Sequence, residues 1–245
     1  MLIAKKDRYN GLILELQDSD KSNFKDELSK LIQKAKTDQN RLLWLDLTTK
    51  ESKYIAIALD LGFEFHNCEA NRTTLIYKLS PDVYVPVSPT HTIGVGGIVI
   101  NSKNELLMVK DRIHNNHSIY KLPGGMLEDA DRLIDGVKRE VLEETGIETK
   151  FIKMVSVLNA HPYRFNKSNL YIVFQLEPLT TKIDIIDTNE IELALWVPLD
   201  EFFSHKEIST FQKDLVKQAL TKEGLQILHN QDIYFKGKKH VEVYG

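Results

Sequence analysis

The stretch GMLEDADRLIDGVKREVLEETGI, residues 125–147, leaves the chain few conformational choices. Good helix formers dominate from Asp131 to Glu144, and Gly146 stands where a left-handed C-terminal cap belongs. Leu133, Ile134, Val137 and Val141, with Ile147 just beyond, give this helix one face to bury. Glu143 and Glu144 follow Glu140 by three and four residues, so three carboxylates share the other face. With Cβ atoms roughly 5–6 Å apart and an effective dielectric near 20, each like-charged pair costs about 3 kcal/mol before solvent and salt relieve it. A divalent cation removes that repulsion, and hard carboxylate oxygens suit Mg²⁺ or Mn²⁺.

An acidic helix face is ordinarily a solvated one. Here the surrounding spacing points elsewhere. Gly125, five residues, Asp131, seven residues, Arg139-Glu140-Val141, one residue, Glu143-Glu144, one residue, Gly146-Ile147 closely resembles the signature box of Nudix hydrolases. The first acidic position departs from the pattern, with Asp131 where that family has Glu. Pro123-Gly124-Gly125 precedes the helix in the manner of the same family. The resemblance implies an α/β/α sandwich with a mixed sheet, and hydrolysis of a nucleoside diphosphate linked to another moiety. It maps Glu140, Glu143, Glu144 and the Gly124 carbonyl onto metal ligands, for Mg²⁺ or Mn²⁺. It gives Arg139 the task of orienting the carboxylates. The general base is expected outside the box, at Glu190, with Asp187 and Glu177 as rivals. At Asp131 the shorter side chain is expected to lengthen bonds to Arg139 or the metal shell, with Glu128 or Asp129 able to compensate.

Composition sets the bounds. The 245 residues suffice for one large domain or two small ones, and a net charge of −3 gives no general attraction to nucleic acid or anionic membrane. A polyanionic substrate must then be held by local positive charge and metal. Cys68 is the single cysteine, which excludes an intramolecular disulfide and is read as a buried, inert thiol. The N-terminal residues show no cleavage-site pattern, and no run approaches ~20 apolar residues, so a cytoplasmic protein is expected.

Three of the seven prolines fall within residues 81–90, which read as an extended strap between domains. The expected division is a small α/β domain over 1–80, the linker, a catalytic domain over 91–222 and an extension over 223–245. In the first domain, alternating and helical periodicities predict strands at 12–16, 41–47, 63–66 and 73–79 and helices at 25–36 and 53–61. Its close is similar to the last part of an acetyltransferase fold. Only Gly11 and Gly62 occur in residues 1–90, however, so the glycine-rich phosphate loop that acetyl transfer needs is missing. A folding or interface role is expected instead. In the second domain strands are predicted at 92–101, 105–111 (as a hairpin pair), 151–159, 170–176 and 194–198, with a helix at 209–220. Gly94, Gly96 and Gly97 are read as permitting close strand packing, since no helix follows them. Residues 118–122 lead into the box, and 233–244 are read as a hairpin turning at Gly237.

The fragments RLLWLDL, YIAIALDLGFEFHNCEANRTTLIYKL, THTIGVGGIVI and IYKLPGG occur in that order, followed by Glu190-Ile191 and Trp196-Val197-Pro198-Leu199. Together they resemble the Nudix branch that carries a small pre-Nudix domain. That branch includes plant cytosolic ADP-ribose/NADH pyrophosphatases and a vertebrate antisense fibroblast-growth-factor protein. A homodimer through the N-terminal domain is implied by this likeness. Residues 160–168 (AHPYRFNKS) are partly similar to the SQPWPFPxS motif of NADH pyrophosphatases, and Pro162 also fits ADP-ribose hydrolases. His161, Arg164 and Lys167 can meet phosphates, and Tyr163 or Phe165 can stack on a base. A polar hairpin loop with core-facing aromatics accounts for the same residues. ADP-ribose or NADH is the favoured substrate, with coenzyme A derivatives and other nucleotide sugars open. A non-catalytic Nudix ligand sensor, or an interaction protein, is the alternative class.

Overall fold

The computed structural model describes residues 2–17, 23–113, 120–221, 223–228 and 242–245. It divides into two compact units, Met1–Pro89 and Thr90–Gly245.

The first unit is a small α/β domain. Its elements are β1 (Leu2–Lys6), β2 (Leu12–Leu16), α1 (Phe24–Thr37), β3 (Leu42–Thr48), α2 (Lys53–Asp60), β4 (Glu64–Cys68) and β5 (Arg72–Lys78). They form one five-stranded sheet in the order β1-β2-β3-β5-β4, with β2 and β3 parallel and the other neighbours antiparallel. Alternation along β3 explains the core: Leu43, Leu45 and Leu47 point to one face. There they join Leu14 and Leu75 against Phe24, Leu28 and Ile32 of α1 and Tyr54 and Ala58 of α2. On the other face Trp44, Asp46, His66 and Thr74 line a cavity of about 470 Å³, edged by residues of the strap at 83–89. The strap is anchored there by His66, whose Nε2 lies 2.6 Å from the Pro86 carbonyl oxygen. Strand β1, which the sequence reading did not predict, is an edge strand bearing Lys5 and Lys6. Cys68 corrects an expectation: it is exposed, at the end of the opposite edge strand β4.

The second unit begins with β6 (His91–Val99) and β7 (Glu105–Asp111), then β8 (Gly124–Met126) and α3 (Leu133–Thr145). It continues with β9 (Thr149–Ala160), β10 (Ser168–Pro178), β11 (Ile191–Pro198), α4 (Leu199–Ser204) and α5 (Thr210–Thr221). A mixed four-stranded sheet runs β8-β6-β10-β9, with β6 and β10 parallel. Val95, Val99, Ile172 and Phe174 pack on one face against Val137 and Val141 of α3. Ile98 and Val173 pack on the other, against Leu215 and Val216 of α5. This is the expected α/β/α sandwich. Strand β7 is placed differently from its prediction. It pairs antiparallel with β11, and a single bridge, Ile100 to Leu106, connects it with the strand before it. Its run Leu106-Leu107-Met108-Val109 is buried on both faces, so it enters the core rather than folding back as a half-exposed hairpin.

Among the described residues no helix is long and apolar enough to cross a membrane. Residues 118 and 119 of the approach to the box, and most of the predicted C-terminal hairpin, lie outside the described residues. Tyr244 is described: it bridges to Ile227 and packs against Phe151 and Phe174.

Candidate metal and phosphate site

Helix α3 carries the site and is fixed at both ends. Gly146 closes it with φ +74°, its N–H donating to the Leu142 carbonyl at 2.7 Å. A Cβ at residue 146 would run into the backbone of Asp184 as well as into the left-handed conformation. At the other end no local side chain caps the helix. The Leu133 N–H donates instead to the carboxylate of Glu242 at 2.8 Å, a partner 109 residues away. That negative charge also suits the positive end of the helix dipole.

Arg139 organises the exposed side of the helix. Its guanidinium donates to Asp131 Oδ2 at 3.0 Å, to Glu143 Oε2 at 3.0 Å and to the Met126 carbonyl at 3.2 Å, and lies 3.1 Å from Glu140 Oε1. Glu128 stands 4.0 Å away. Asp131 therefore reaches Arg139 directly, and the bond expected to lengthen is of ordinary length. The loop turn brings it close: the Glu128 N–H donates to Asp131 Oδ2 at 3.0 Å. That bond, then Arg139, holds the Asp131 carboxyl below the usual carboxylate range.

The three box glutamates do not converge on one point. Glu140 and Glu143 turn to Arg139, whereas Glu144 is buried and turns to the other side. Glu144 Oε2 accepts the Gly124 N–H at 2.7 Å, and its Oε1 lies 3.1 Å from Lys121 Nζ. Burial pushes the Glu144 carboxyl up to about 7, with Lys121 and the Gly124 N–H opposing it. Glu140 is raised as well, first by burial and then by Glu143 and Glu190, against the pull of Arg139. The Glu140 carboxylate rests where a side chain at residue 125 would be; a Cβ there would lie 2.5–2.9 Å from its carboxyl atoms. Gly125 is thus the opening that lets Glu140 approach the β8 backbone.

Among the described residues, the three acidic side chains whose ligand atoms lie within 4.8 Å of one another are Asp111, Glu144 and Glu190. Register explains the grouping, because β7 and β11 pair Asp111 with Ile191 and so bring Glu190 alongside. Glu190 thereby joins Glu144. Asp187 does not: its Oδ1 accepts the N–H groups of Asn189 and Glu190 and shapes the turn. Glu177 stands opposite Lys150 on β10 and belongs to no such group.

Tyr171 forms a wall that the sequence reading missed. Its ring lies across Gly94 and Gly96, and its hydroxyl reaches towards Gly124, so a Cβ at any of the three would meet it. Gly94 and Gly96 make room for this side chain of the neighbouring strand and Gly97 for Val141, whereas Gly124 permits close approach to the β6 backbone at Val95 and Gly96. Burial pushes the Tyr171 hydroxyl up to about 12, with Lys121 opposing and Glu144, Glu140 and Tyr163 adding to it.

The predicted substrate residues lie on the β9–β10 loop. His161 Nδ1 is 3.1 Å from Ser168 Oγ, and the Arg164 guanidinium sits 5.9 Å from the Tyr163 ring centre. Phe165 is 92% exposed and adopts φ 57°, a left-handed conformation rare for an aromatic residue. The Tyr163 N–H donates to the Lys167 carbonyl at 2.8 Å, closing the loop. Of these residues Tyr163 comes near enough to Tyr171 to bear on its ionisation. Lys121, Asp111 and Tyr171 were absent from the predicted set. A lone lysine two residues before Pro123-Gly124-Gly125 was the one local signal available.

The donors around Glu144 fit a hard divalent cation: its buried Oε1 has no aligned hydrogen bond, Asp111 and Glu190 place ligand atoms within 4.8 Å, and Glu140 stands within electrostatic reach.

Comparison with known proteins places this geometry. A family model described as the NUDIX domain matches residues 90–219, and one described as a Nudix hydrolase domain matches residues 2–79. Arabidopsis thaliana Nudix hydrolase 8 is 33% identical over 208 residues, covering 82% of this chain and 56% of its own length. Human nucleoside diphosphate-linked moiety X motif 6 is 30% identical over 205 residues, covering 80% of this chain and 64% of its own. The Xenopus laevis protein of the same name is 36% identical over 155 residues, covering 62% and 70%. The chain thus spans little more than half the length of the first of these relatives.

Proposed function

The chain belongs to the Nudix family, and from that premise we propose that it is a metal-dependent pyrophosphohydrolase acting on a nucleoside diphosphate derivative, ADP-ribose or NADH. The observation that carries the reading is Glu144. A carboxylate this buried, bonded to the Gly124 N–H, set beside Glu140 and met by the single ammonium of Lys121, is costly to keep unless it serves a stronger cation.

Water adds to one phosphorus of the anhydride, one P–O bond breaks, and ADP-ribose yields AMP and ribose 5-phosphate. Bound Mg²⁺ or Mn²⁺ would polarise phosphoryl oxygens and acidify water when held by Glu140, Glu144 and the Gly124 carbonyl, with Glu143 at the edge of the set. The rest falls to the chain's own groups. Arg139, tied to Asp131 and the Met126 carbonyl, fixes Glu140 and Glu143. Glu190 accepts the proton of the attacking water. His161, Arg164 and Lys167 meet the diphosphate, while Tyr163 and Phe165 stack on an aromatic ring of the substrate. An aromatic side chain held almost wholly exposed at Phe165 supports that role.

Homodimerisation through the first unit belongs to the same proposal; Tyr9, Phe65, Tyr84 and Val87 are exposed there. The decisive experiment follows phosphate-ester products from ADP-ribose, NADH, coenzyme A and nucleotide sugars, with chelator and with Mg²⁺ or Mn²⁺. Activity should vanish in chelator and return with metal, and Glu143→Gln and Glu144→Gln should lose most of kcat while remaining folded. Full activity in chelator, or in either variant, would sink the mechanism.

A further inference from the structure

Lys121 occupies a position that a metal ion would find attractive. Its Nζ lies 2.8 Å from Asp111 Oδ1, 3.1 Å from Glu144 Oε1 and 3.8 Å from Glu190 Oε1. Among the described residues it has no other side-chain partner. The fit is close but poorly directed: Asp111 Oδ1 and Glu144 Oε1 are buried and neither is hydrogen-bonded, although both are paired with the ammonium by distance. Their lone pairs are neutralised without being satisfied. Arg139 is the contrast, because aligned bonds to Asp131, Glu143 and a backbone carbonyl hold it where it is.

We propose that Lys121 is a built-in counter-cation that competes with the divalent ion for Glu144, so that metal entry expels its ammonium and Lys121 sets the metal affinity of the protein. The inference rests on the metal-dependent reading above. An ammonium and a divalent ion cannot share Glu144 Oε1 at contact distance, since their mutual repulsion at ~4 Å is large at any plausible dielectric. Asp111 and Glu190, with carboxylate oxygens within 4.8 Å of that of Glu144, add negative charge that draws either cation to the same spot. Once released, Lys121 has a flexible four-carbon stem and a free positive charge beside the phosphate site.

The test is Mn²⁺ binding to the full chain, measured by electron paramagnetic resonance at pH 8 without substrate. Lys121→Met should bind Mn²⁺ roughly tenfold or more tightly, since the competing charge is gone. Lys121→Arg keeps the charge and should bind no more tightly than wild type. Lys110→Met removes the lysine next to Asp111 on β7, which pairs with Glu192, and should change affinity less than about twofold. A second readout needs no variant: amine acetylation of Lys121, followed by mass spectrometry, should speed up when Mn²⁺ is added to the wild-type protein. Unchanged or weaker binding in Lys121→Met, or Mn²⁺ protection of Lys121 from acetylation, overturns the inference and leaves metal dependence standing. Absence of Mn²⁺ binding to the wild type overturns both.

Discussion

Glu144 is the residue on which burial and charge pull hardest against each other. In the unfolded chain its carboxyl ionises near 4.5, whereas in the folded chain without metal it does so at about 7. A raised pKa means that the folded state holds its proton longer. The resulting contribution to stability is present below about pH 4.5 and is lost as pH rises through 7. In chelator, wild type should therefore lose up to about 3 kcal/mol relative to Glu144→Gln between those limits. Urea unfolding of both proteins across pH 4.5–8 measures it, and parallel curves would contradict the assigned cause. Specificity is a second matter decided by single residues. Arg164→Ala removes a fork of donors and should cost ten- to a hundredfold in kcat/KM, about 1.5–3 kcal/mol, on ADP-ribose and NADH alike. Tyr163→Ala should hurt NADH more than ADP-ribose, because NADH carries an additional ring to stack. Equal losses from Tyr163→Ala would mean that the loop does not read the second moiety.

At the scale of elements, α3 was the most legible part of the chain. Its helix formers, apolar stripe and Gly146 stop are all local, and Val137, Val141 and Ile147 are fully buried as their spacing requires. The surroundings of Glu144 were not legible, for a physical reason. Asp111 and Glu190 meet because β7 pairs with β11, a choice made by tertiary burial of Leu106–Val109 on both faces. Reading β7 as a hairpin partner of β6 sent Asp111 elsewhere. Tyr171 and the cap at Glu242 depend on pairings equally remote in sequence. The cap gives an element-scale prediction. Glu242→Ala should lower stability by about 1 kcal/mol through loss of the bond to the Leu133 N–H, with Glu242→Gln recovering part of it. Equilibrium urea curves report it, and an unchanged midpoint in Glu242→Ala would show that the helix end is satisfied otherwise.

For the whole molecule, each of the two units owns one of the two tryptophans, Trp44 and Trp196. Their cores are separate, Leu43–Leu45 with Phe24 in one and Val95 with Phe174 in the other. Trp196→Phe leaves a reporter on the first unit alone, and Trp44→Phe one on the second. If metal binds the folded second unit as proposed, saturating Mg²⁺ should raise the unfolding midpoint seen by Trp196 more than that seen by Trp44. Equal shifts would place the cation elsewhere or bind the fates of the two units together.

The parallel pairing of β6 with β10 joins Ser168 to His91 and Leu176 to Val99, partners 77 residues apart in the chain. A sheet so connected is slow to nucleate, because the intervening loop must close before any of its contacts can form. The acidic group around Glu144 depends on a pairing equally remote, since Asp111 and Glu190 meet only where β7 pairs with β11. If the proposed cation site is assembled in this way, it should arrive late on the folding route, and what arrives late acts on the way out. Adding Mg²⁺ should leave the refolding rate almost unchanged and slow unfolding, so that in stopped-flow chevrons the metal lengthens the lifetime of the native chain without hastening its birth.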